Sequence, residues 1–380
     1  MKVLTIDDQQ LILLSVEKRL AAQGYEVQMA DCGQTGIELF NSFRPDLVIV
    51  DINMPDMSGL EVVKHIRITE NSQTPIMVMS GNTNEKVIVD GFDLGINDYM
   101  KKPVSLNELE ARVKRILGNN TSSKTKTAED SNQMLQKHCV GVVIPCYNEA
   151  DRLSADIFRD FANKNLGYHL CFVNDGSTDN TLEVLEELRK GNEDIISIYN
   201  CEQNGGKAEA VRQGVLHLSQ DPQLDYIGYL DADLSTDFRD FDELVQTIED
   251  SNFKIVSGSR ISRMGANITK ESARKVISMT INLIIRKILG MPFRDTQCGA
   301  KIMDRKIAST MFQKKFITRW LFDVEIFMRM RKYYGKRNVQ ELICEQPLKR
   351  WIHADGSKLS MKDSVKIVGQ LAKIALHYNA

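Results

Sequence analysis

Short strand-like apolar runs alternate with helix-period stretches twice along this chain, from Met1 to Gly118 and again from Cys139 onward. That repeated alternation constrains the fold more than any single motif. The first block reads VLTI then LILLSVEKRLAAQG, LVIV then GLEVVKHIR, and IMVM then EKVIVDGFDLG. Strands alternating with helices imply a parallel, doubly wound α/β sheet. Leu106, Leu109, Val113, Ile116 and Leu117 share one face of a closing helix, and Gly118 ends it. Residues 119–138, NNTSSKTKTAEDSNQMLQKH, are polar and carry too little apolar surface to fold alone. They are expected to form a flexible linker, partly helical near Met134 and Leu135. From Cys139 the strands VGVVIP, HLCFV, IISIY and YIGYL restart the pattern, so residues 139–380 form a second and larger α/β domain.

A chain of 380 residues is long enough for two cores. Its net charge of −2 argues against binding nucleic acid through bulk charge, and no helix-turn-helix follows the linker. The seven cysteines are odd in number and form no C-x-x-C pair, as expected of a reduced, cytoplasmic protein without a zinc site. The opening MKVLTIDD enters a strand directly and lacks a signal-peptide pattern, so export is not expected.

In a doubly wound sheet the ligand lies beyond the carboxyl ends of the strands. In the first domain those ends carry Asp7 and Asp8, Asp51, Ser80, and Lys102 after DYMK. Each acid alone is explained as a helix cap, but the set is not. Three converging carboxylates repel one another unless a hard divalent cation such as Mg²⁺ sits among them. With Tyr99 three residues before the lysine, Met1 to Gly118 resembles the receiver domain of response regulators, a flavodoxin-like fold. The resemblance implies that Asp51 takes a phosphoryl group from a cognate histidine kinase. It also implies that Asp7, Asp8, Asp51 and the Asn53 carbonyl form the Mg²⁺ site. Lys102 would then pair with the phosphoryl group, while Ser80 moves inward and Tyr99 turns into the vacated space.

The second domain repeats one arrangement, a buried strand ending in a polar turn: VVIPCYNEA, HLCFVNDGSTDNT, NGGKAEAVRQG and LDADLST. Ser177 to Asp179 read as caps for the helix that follows. Asp175 lies too early for that role and is better placed to accept hydrogen bonds from a base. Paired glycines and Lys207 at a helix start let backbone approach phosphate. If Leu230 to Thr236 is extended, Asp231 and Asp233 point the same way and can share one cation, leaving most of its shell to diphosphate oxygens and water.

From Cys139 to about Lys373 the chain resembles a glycosyltransferase family 2 domain of the GT-A fold. The resemblance assigns Pro145, Tyr147, Asn148 and Glu149 to the first nucleotide-contacting turn, Asp175 to the base, and Asp231 with Asp233 to the metal motif. GSR at Gly258–Arg260, RDTQCGAKI, RWLFDVEIF and DGSKLSMKDS resemble the dolichyl- and polyprenyl-phosphate glucosyltransferase branch. This implies a UDP-glucose donor, a lipid-phosphate acceptor and inversion at the anomeric carbon. Ser235 stands where close relatives often carry a third metal ligand, Gln.

An Mg²⁺ or Mn²⁺ ion would neutralise the departing UDP. An ionised phosphate acceptor needs no general base, only cationic positioning, for which Arg260 and Arg274 are the candidates, with Arg263 and Lys270 nearby. A hydroxyl acceptor on a glycan or protein would need a base, and Asp295 or Asp323 would be tested first. Gln297 can contact either substrate, and for Trp320 core packing is favoured over stacking on a sugar. A third reading is a response regulator that senses UDP-sugar without turnover.

Val276 to Met291 is apolar but interrupted by Arg286 and Lys287, and too short to span a bilayer. It reads either as a core helix or as a helix lying in an anionic membrane surface, aided by Lys314, Lys315 and Arg319. Peripheral attachment at the inner face of the membrane is the expectation. Phosphorylation of Asp51 is expected to control the transferase, through a receiver homodimer or by releasing an inhibitory contact, with the sign of the effect left open.

Overall fold

In the computed structural model the described residues are 1–81, 85–118, 133–260, 267–268, 272–351 and 361–379; for 267–268, 272–280, 351, 361–365 and 379 only the backbone is described. The chain divides into two compact units, Met1–Cys139 with Asp160–Tyr168, and Val140–Arg159 with His169–Ala380.

The first unit contains β1 (Lys2–Ile6), α1 (Gln10–Ala21), β2 (Glu26–Ala30), α2 (Gly33–Phe43), β3 (Leu47–Asp51), α3 (Gly59–Lys64), β4 (Ile76–Ser80), α4 (Glu85–Asp93), β5 (Asp98–Lys101), β6 (Val104–Ser105) and α5 (Leu106–Leu117). Its sheet runs β2-β1-β3-β4-β5 with every pairing parallel, as expected of a receiver. Strands β3 and β4 are buried at every position, which is why they read as unbroken apolar runs. Their side chains feed two cores, one on each face of the sheet. The α3 start follows the capping-box rule: Ser58 accepts from the Leu60 amide, and Glu61 accepts from the Ser58 amide at 2.9 Å.

Residues 119–132 of the expected linker lie outside the described residues. Met134 and Leu135 are strand, not helix: Val104 pairs with Leu135 and Ser105 with Met134, antiparallel. Leu135 is fully buried in the same core as Val104 and Leu109, so packing overrides the polar composition around it.

The remaining elements are β7 (Met134–Cys146), α6 (Ala155–Lys164), β8 (Asn165–Asn174), α7 (Thr181–Arg189), β9 (Ile196–Asn200), α8 (Lys207–Leu218), β10 (Tyr226–Leu230), α9 (Phe238–Glu249), β11 (Ile255–Ser259), β12 (Asn267–Ile268), α10 (Ser272–Leu289), β13 (Ala300–Asp304), α11 (Arg305–Phe312), α12 (Phe322–Tyr334), β14 (Ile343–Pro347), β15 (Arg350–Trp351) and α13 (Met361–Asn379). Their main sheet has the order β14-β11-β13-β10-β7-β8-β9. It is mixed, because β13 runs antiparallel to both β10 and β11. Strand β10 runs parallel to β7, and the amide of Asp175, just after β8, donates to the carbonyl of Cys146 at the end of β7 at 2.9 Å, so β7, β8 and β10 end on one edge and the turns after them carry the candidate site. No described helix is long and apolar enough to cross a membrane. All seven cysteines carry free thiols.

Candidate functional sites

The receiver acids meet as the strand order requires. Carboxylate oxygens of Asp7, Asp8 and Asp51 lie within 4.8 Å of one another. Lys102 is 1% exposed and donates to Asp7 Oδ2 at 2.6 Å, with Asp51 Oδ2 at 3.6 Å. Burial works against the lysine's charge, but Asp7 and Asp51 outweigh it and hold the ammonium above its ordinary range. Burial, reinforced by Asp7 and Asp51, pushes the Asp8 carboxyl up to about 6. Burial likewise raises Asp51, against the pull of Lys102. One lysine thus leaves the three acids under-neutralised, and the donor set fits a divalent ion.

Gly59 lets the loop after Asp51 close, since a Cβ there would sit 2.0 Å from the Asp51 carbonyl oxygen. Ser80 is fully buried, and the half-buried Tyr99 hydrogen-bonds to it. The Asn53 amide reaches Ser80 Oγ at 3.5 Å. Asp51, the Ser80 hydroxyl, the Tyr99 ring and Lys102 therefore form one connected cluster.

In the second unit the turns after β7 and β8 are stitched together. The Asn148 amide donates to Ser177 Oγ at 3.0 Å, Glu149 to Thr181 Oγ1 at 2.8 Å and Ala150 to Asp179 Oδ2 at 3.2 Å. Asp179 also accepts from the Thr181 amide at the start of α7 at 3.0 Å, but Ser177, expected as a cap, instead holds the Asn148 amide; together the two fix the Tyr147–Ala150 turn. Asn148 Oδ1 in turn accepts from the Thr178 amide at 2.9 Å, with its own φ at 52°. Pro145 is half-buried and Tyr147 is 45% exposed, so the tyrosine stays accessible. Burial raises the Glu149 carboxyl, opposed by its ion pair with Arg152 at 2.8 Å.

Asp175 is 3% exposed and accepts from the Gly205 and Gly206 amides, each at 2.8 Å. It therefore shapes the NGG loop, and Gly206, at φ 84°, leads into Lys207 as the first residue of α8. The Lys207 ammonium pairs with Asp231. Burial disfavours its charge, but Asp231, then Asp323 and Asp233, raise its pKa.

The segment carrying Asp231 and Asp233 is not extended as expected. Strand β10 stops at Leu230, and the Leu234 amide bonds back to the Asp231 carbonyl at 3.2 Å, with Leu234 at φ 51°. The two acids are presented by this turn, not by strand alternation. Asp231 is half-buried, whereas Asp233 is exposed and accepts from the Ser235 amide at 2.9 Å. Behind Asp231 stands Gly299, where a Cβ would lie 2.0 Å from Asp231 Oδ2. This cradle for a carboxylate fits a divalent ion held by Asp231 and Asp233, with its other positions left to ligand oxygens.

Arg260 and Asp295 are locked together, Nε to Oδ2 at 2.7 Å and Nη2 to Oδ1 at 2.8 Å, and the Arg260 amide adds a third bond at 2.8 Å. Asp295 is held in turn by Glu345, which accepts its amide at 2.6 Å. Asp323 accepts from the Tyr229 hydroxyl and from the fully buried Lys301 at 2.7 Å. Both candidate bases are therefore committed to cations. The side-chain nitrogen of Gln297 is buried and has no hydrogen-bond partner among the described residues. Trp320, expected in the core, is 71% exposed. Arg263 and Lys270, and the side chain of Arg274, lie outside the described residues.

Sequence reading missed Lys301, Tyr229 and Gly299. A lysine inside the apolar strand AKIMD was the available signal for the first. The other two carry no local mark.

Residues 3–114 match the response regulator receiver domain model, and residues 141–312 match that of glycosyl transferase family 2. A dolichyl-phosphate beta-glucosyltransferase of Trichomonas vaginalis is 31% identical over 251 residues, covering 63% of this chain and 73% of the relative. The cell cycle response regulator CtrA of Brucella ovis is 38% identical over 117 residues, covering 31% of this chain and 50% of that protein. The Vibrio cholerae chemotaxis protein CheY4 is 32% identical, with 30% of this chain and 98% of that one covered at a TM-score of 0.30. With this sequence similarity and the two sheets described above, the chain belongs to glycosyltransferase family 2 and carries a response regulator receiver domain ahead of its transferase domain.

Proposed function

We propose that this protein is an inverting glycosyltransferase that moves a sugar, glucose by its likeness to the relatives above, from a UDP-sugar to a polyprenyl-phosphate-type acceptor. A histidine kinase acting on Asp51 would control it. The observation that carries the acceptor class is the pairing of Asp295 with Arg260 and of Asp323 with Lys301. A hydroxyl acceptor needs a base able to take its proton. A phosphate monoester, with a second pKa of about 6, arrives already ionised.

In this reading Tyr147, Glu149, Asp175 and Lys207 surround the nucleoside diphosphate, and Asp231 with Asp233 hold a Mg²⁺ or Mn²⁺ ion. That ion, when bound, supplies Lewis-acid neutralisation of the leaving diphosphate. Arg260, kept rigid by Asp295, orients the acceptor phosphate. An acceptor oxygen attacks the anomeric carbon from the face opposite UDP, the carbon–oxygen bond to UDP breaks, and UDP leaves with the electron pair. Lys207 offsets charge on the departing group. No proton moves. In the receiver, Asp7, Asp8 and Asp51 would hold Mg²⁺.

The test is incubation with a panel of UDP-sugars and a polyprenyl phosphate, followed by lipid extraction and mass analysis. A sugar-phosphate lipid with inverted anomeric configuration is expected. Label that stays in the aqueous phase, on glycan or protein, would overturn the acceptor assignment.

A further inference from the structure

The loop joining α11 to α12 is tied down along its length by side chains of α12. Its residues Gln313 to Leu321 include no acid and carry Lys314, Lys315 and Arg319, all exposed. Beside these cations Ile317 is 42% exposed and Trp320 71% exposed. Exposed indole and aliphatic groups usually collapse inward when the backbone permits it.

Here the backbone is pinned. Glu325, fully buried, accepts from the Ile317 and Thr318 amides, each at 2.9 Å, and from the Thr318 hydroxyl at 2.8 Å. Arg329 donates to the carbonyls of Lys314 and Lys315, each at 2.8 Å. Phe316 is tucked inward, its ring 4.2 Å from the Arg329 guanidinium carbon and 5.3 Å from the Phe312 ring. The loop's backbone is therefore held by the protein's own side chains.

The knuckle adjoins the donor turn. The Arg319 carbonyl accepts from the Ala208 amide at 3.3 Å, and its side chain lies against Gly206. Arg319 also helps keep Asp175 ionised against burial, which raises that carboxyl.

We infer that the Lys314–Trp320 knuckle is the surface by which this chain docks on an anionic lipid bilayer, setting its transferase site at the depth of lipid phosphates. Lysines supply attraction to acidic headgroups, and tryptophan with isoleucine inserts at the polar–apolar boundary. The inference rests on the lipid-acceptor reading but is tested separately from it.

The experiment is co-sedimentation of the full-length protein with phosphatidylcholine vesicles, with and without phosphatidylglycerol, in the absence of nucleotide sugar. Binding is expected only with phosphatidylglycerol. Each of Lys314→Ala and Lys315→Ala should weaken it about five-fold, and Trp320→Ala should weaken it further at unchanged circular dichroism. The protein has two tryptophans, so in Trp351→Phe the emission reports Trp320 alone and should shift to the blue on anionic vesicles. Binding that ignores phosphatidylglycerol, variants that sediment like the parent, or an unshifted Trp320 emission would each overturn the surface. Sugar transfer to detergent-dispersed acceptor without vesicle binding overturns the surface and leaves the transferase. Knuckle-dependent binding without transfer to any lipid supports the surface and removes the lipid-acceptor reading.

Discussion

Asp295 grips Arg260 through both carboxylate oxygens, at 2.7 and 2.8 Å, while Glu345 accepts the Asp295 amide at 2.6 Å. The guanidinium is thus aimed by two acids in series. Bidentate pairing of this kind adds directional precision that a lysine cannot reproduce. Arg260→Lys is expected to lower kcat/KM for the lipid acceptor by about 100-fold, the scale of one lost positioned charge, with the KM for UDP-sugar little changed. Asp295→Asn should lower it comparably while leaving the shape of the pH–rate profile intact. A lost acidic limb in that profile would make Asp295 a general base.

Gly299 predicts a steric result. A methyl group 2.0 Å from Asp231 Oδ2 cannot be accommodated, so Gly299→Ala must displace the carboxylate or the β13 entry. The expected outcome is weakened binding of Mn²⁺ to the transferase site, read by titration, and at least about a 100-fold loss of turnover. Wild-type Mn²⁺ affinity in the variant would refute this placement of Asp231.

Lys301 and Asp323 form a buried ion pair at 2.7 Å. Lys301→Met leaves the carboxylate without its cation and is expected to destabilise the transferase domain by about 3–5 kcal/mol. Urea unfolding followed by fluorescence checks it, and a shift of the transferase transition below about 1 kcal/mol would show the pair to be unimportant.

Mg²⁺ binding to the receiver should depend on pH with a definite sign. The Asp8 carboxyl is raised to about 6, so its proton is held in the folded state and released as pH rises through that value. The stability from its neutral form is present below the ordinary carboxylate range and is lost as pH climbs through about 6. Mg²⁺ affinity should accordingly strengthen across this window. The thermal shift induced by Mg²⁺ should be larger at neutral pH than at mildly acidic pH, and an equal shift at both would count against the assignment.

Asp51 lies 3.6 Å from the Lys102 ammonium, and Tyr99 bonds to buried Ser80. Adding a phosphoryl mimic to wild type should change transferase rate, whereas Asp51→Ala should not respond. Four indistinguishable rates, from both proteins with and without the mimic, would remove phosphorylation control.

The alternation of apolar runs and helix-period stretches was enough to place Asp7, Asp51, Ser80 and Lys102 on one sheet edge, because each finishes a strand in the same sheet. The second domain was legible only to its turns. Asp231 and Asp233 were identifiable as a pair, but their presentation was misread, since a turn closed by Leu234 at φ 51° has no sequence mark beyond an ordinary leucine. For Trp320 the sequence favours core packing over stacking on a sugar. The residue stands outside because Glu325 and Arg329, five and nine residues further on, hold the loop from beneath.

By itself the sequence determined two α/β domains and the residue types gathered at their strand ends, since hydrophobic period and strand-terminal chemistry are local properties. Tertiary structure alone decided which acids stay available. Asp295 and Asp323 look alike in sequence to Asp233, yet each is answered at 2.7 Å by a cation from a distant segment, 35 residues away for Arg260 and 22 for Lys301, whereas Asp233 stands exposed. A carboxylate's chemistry is set by the charge beside it, and that neighbour is brought there by folding.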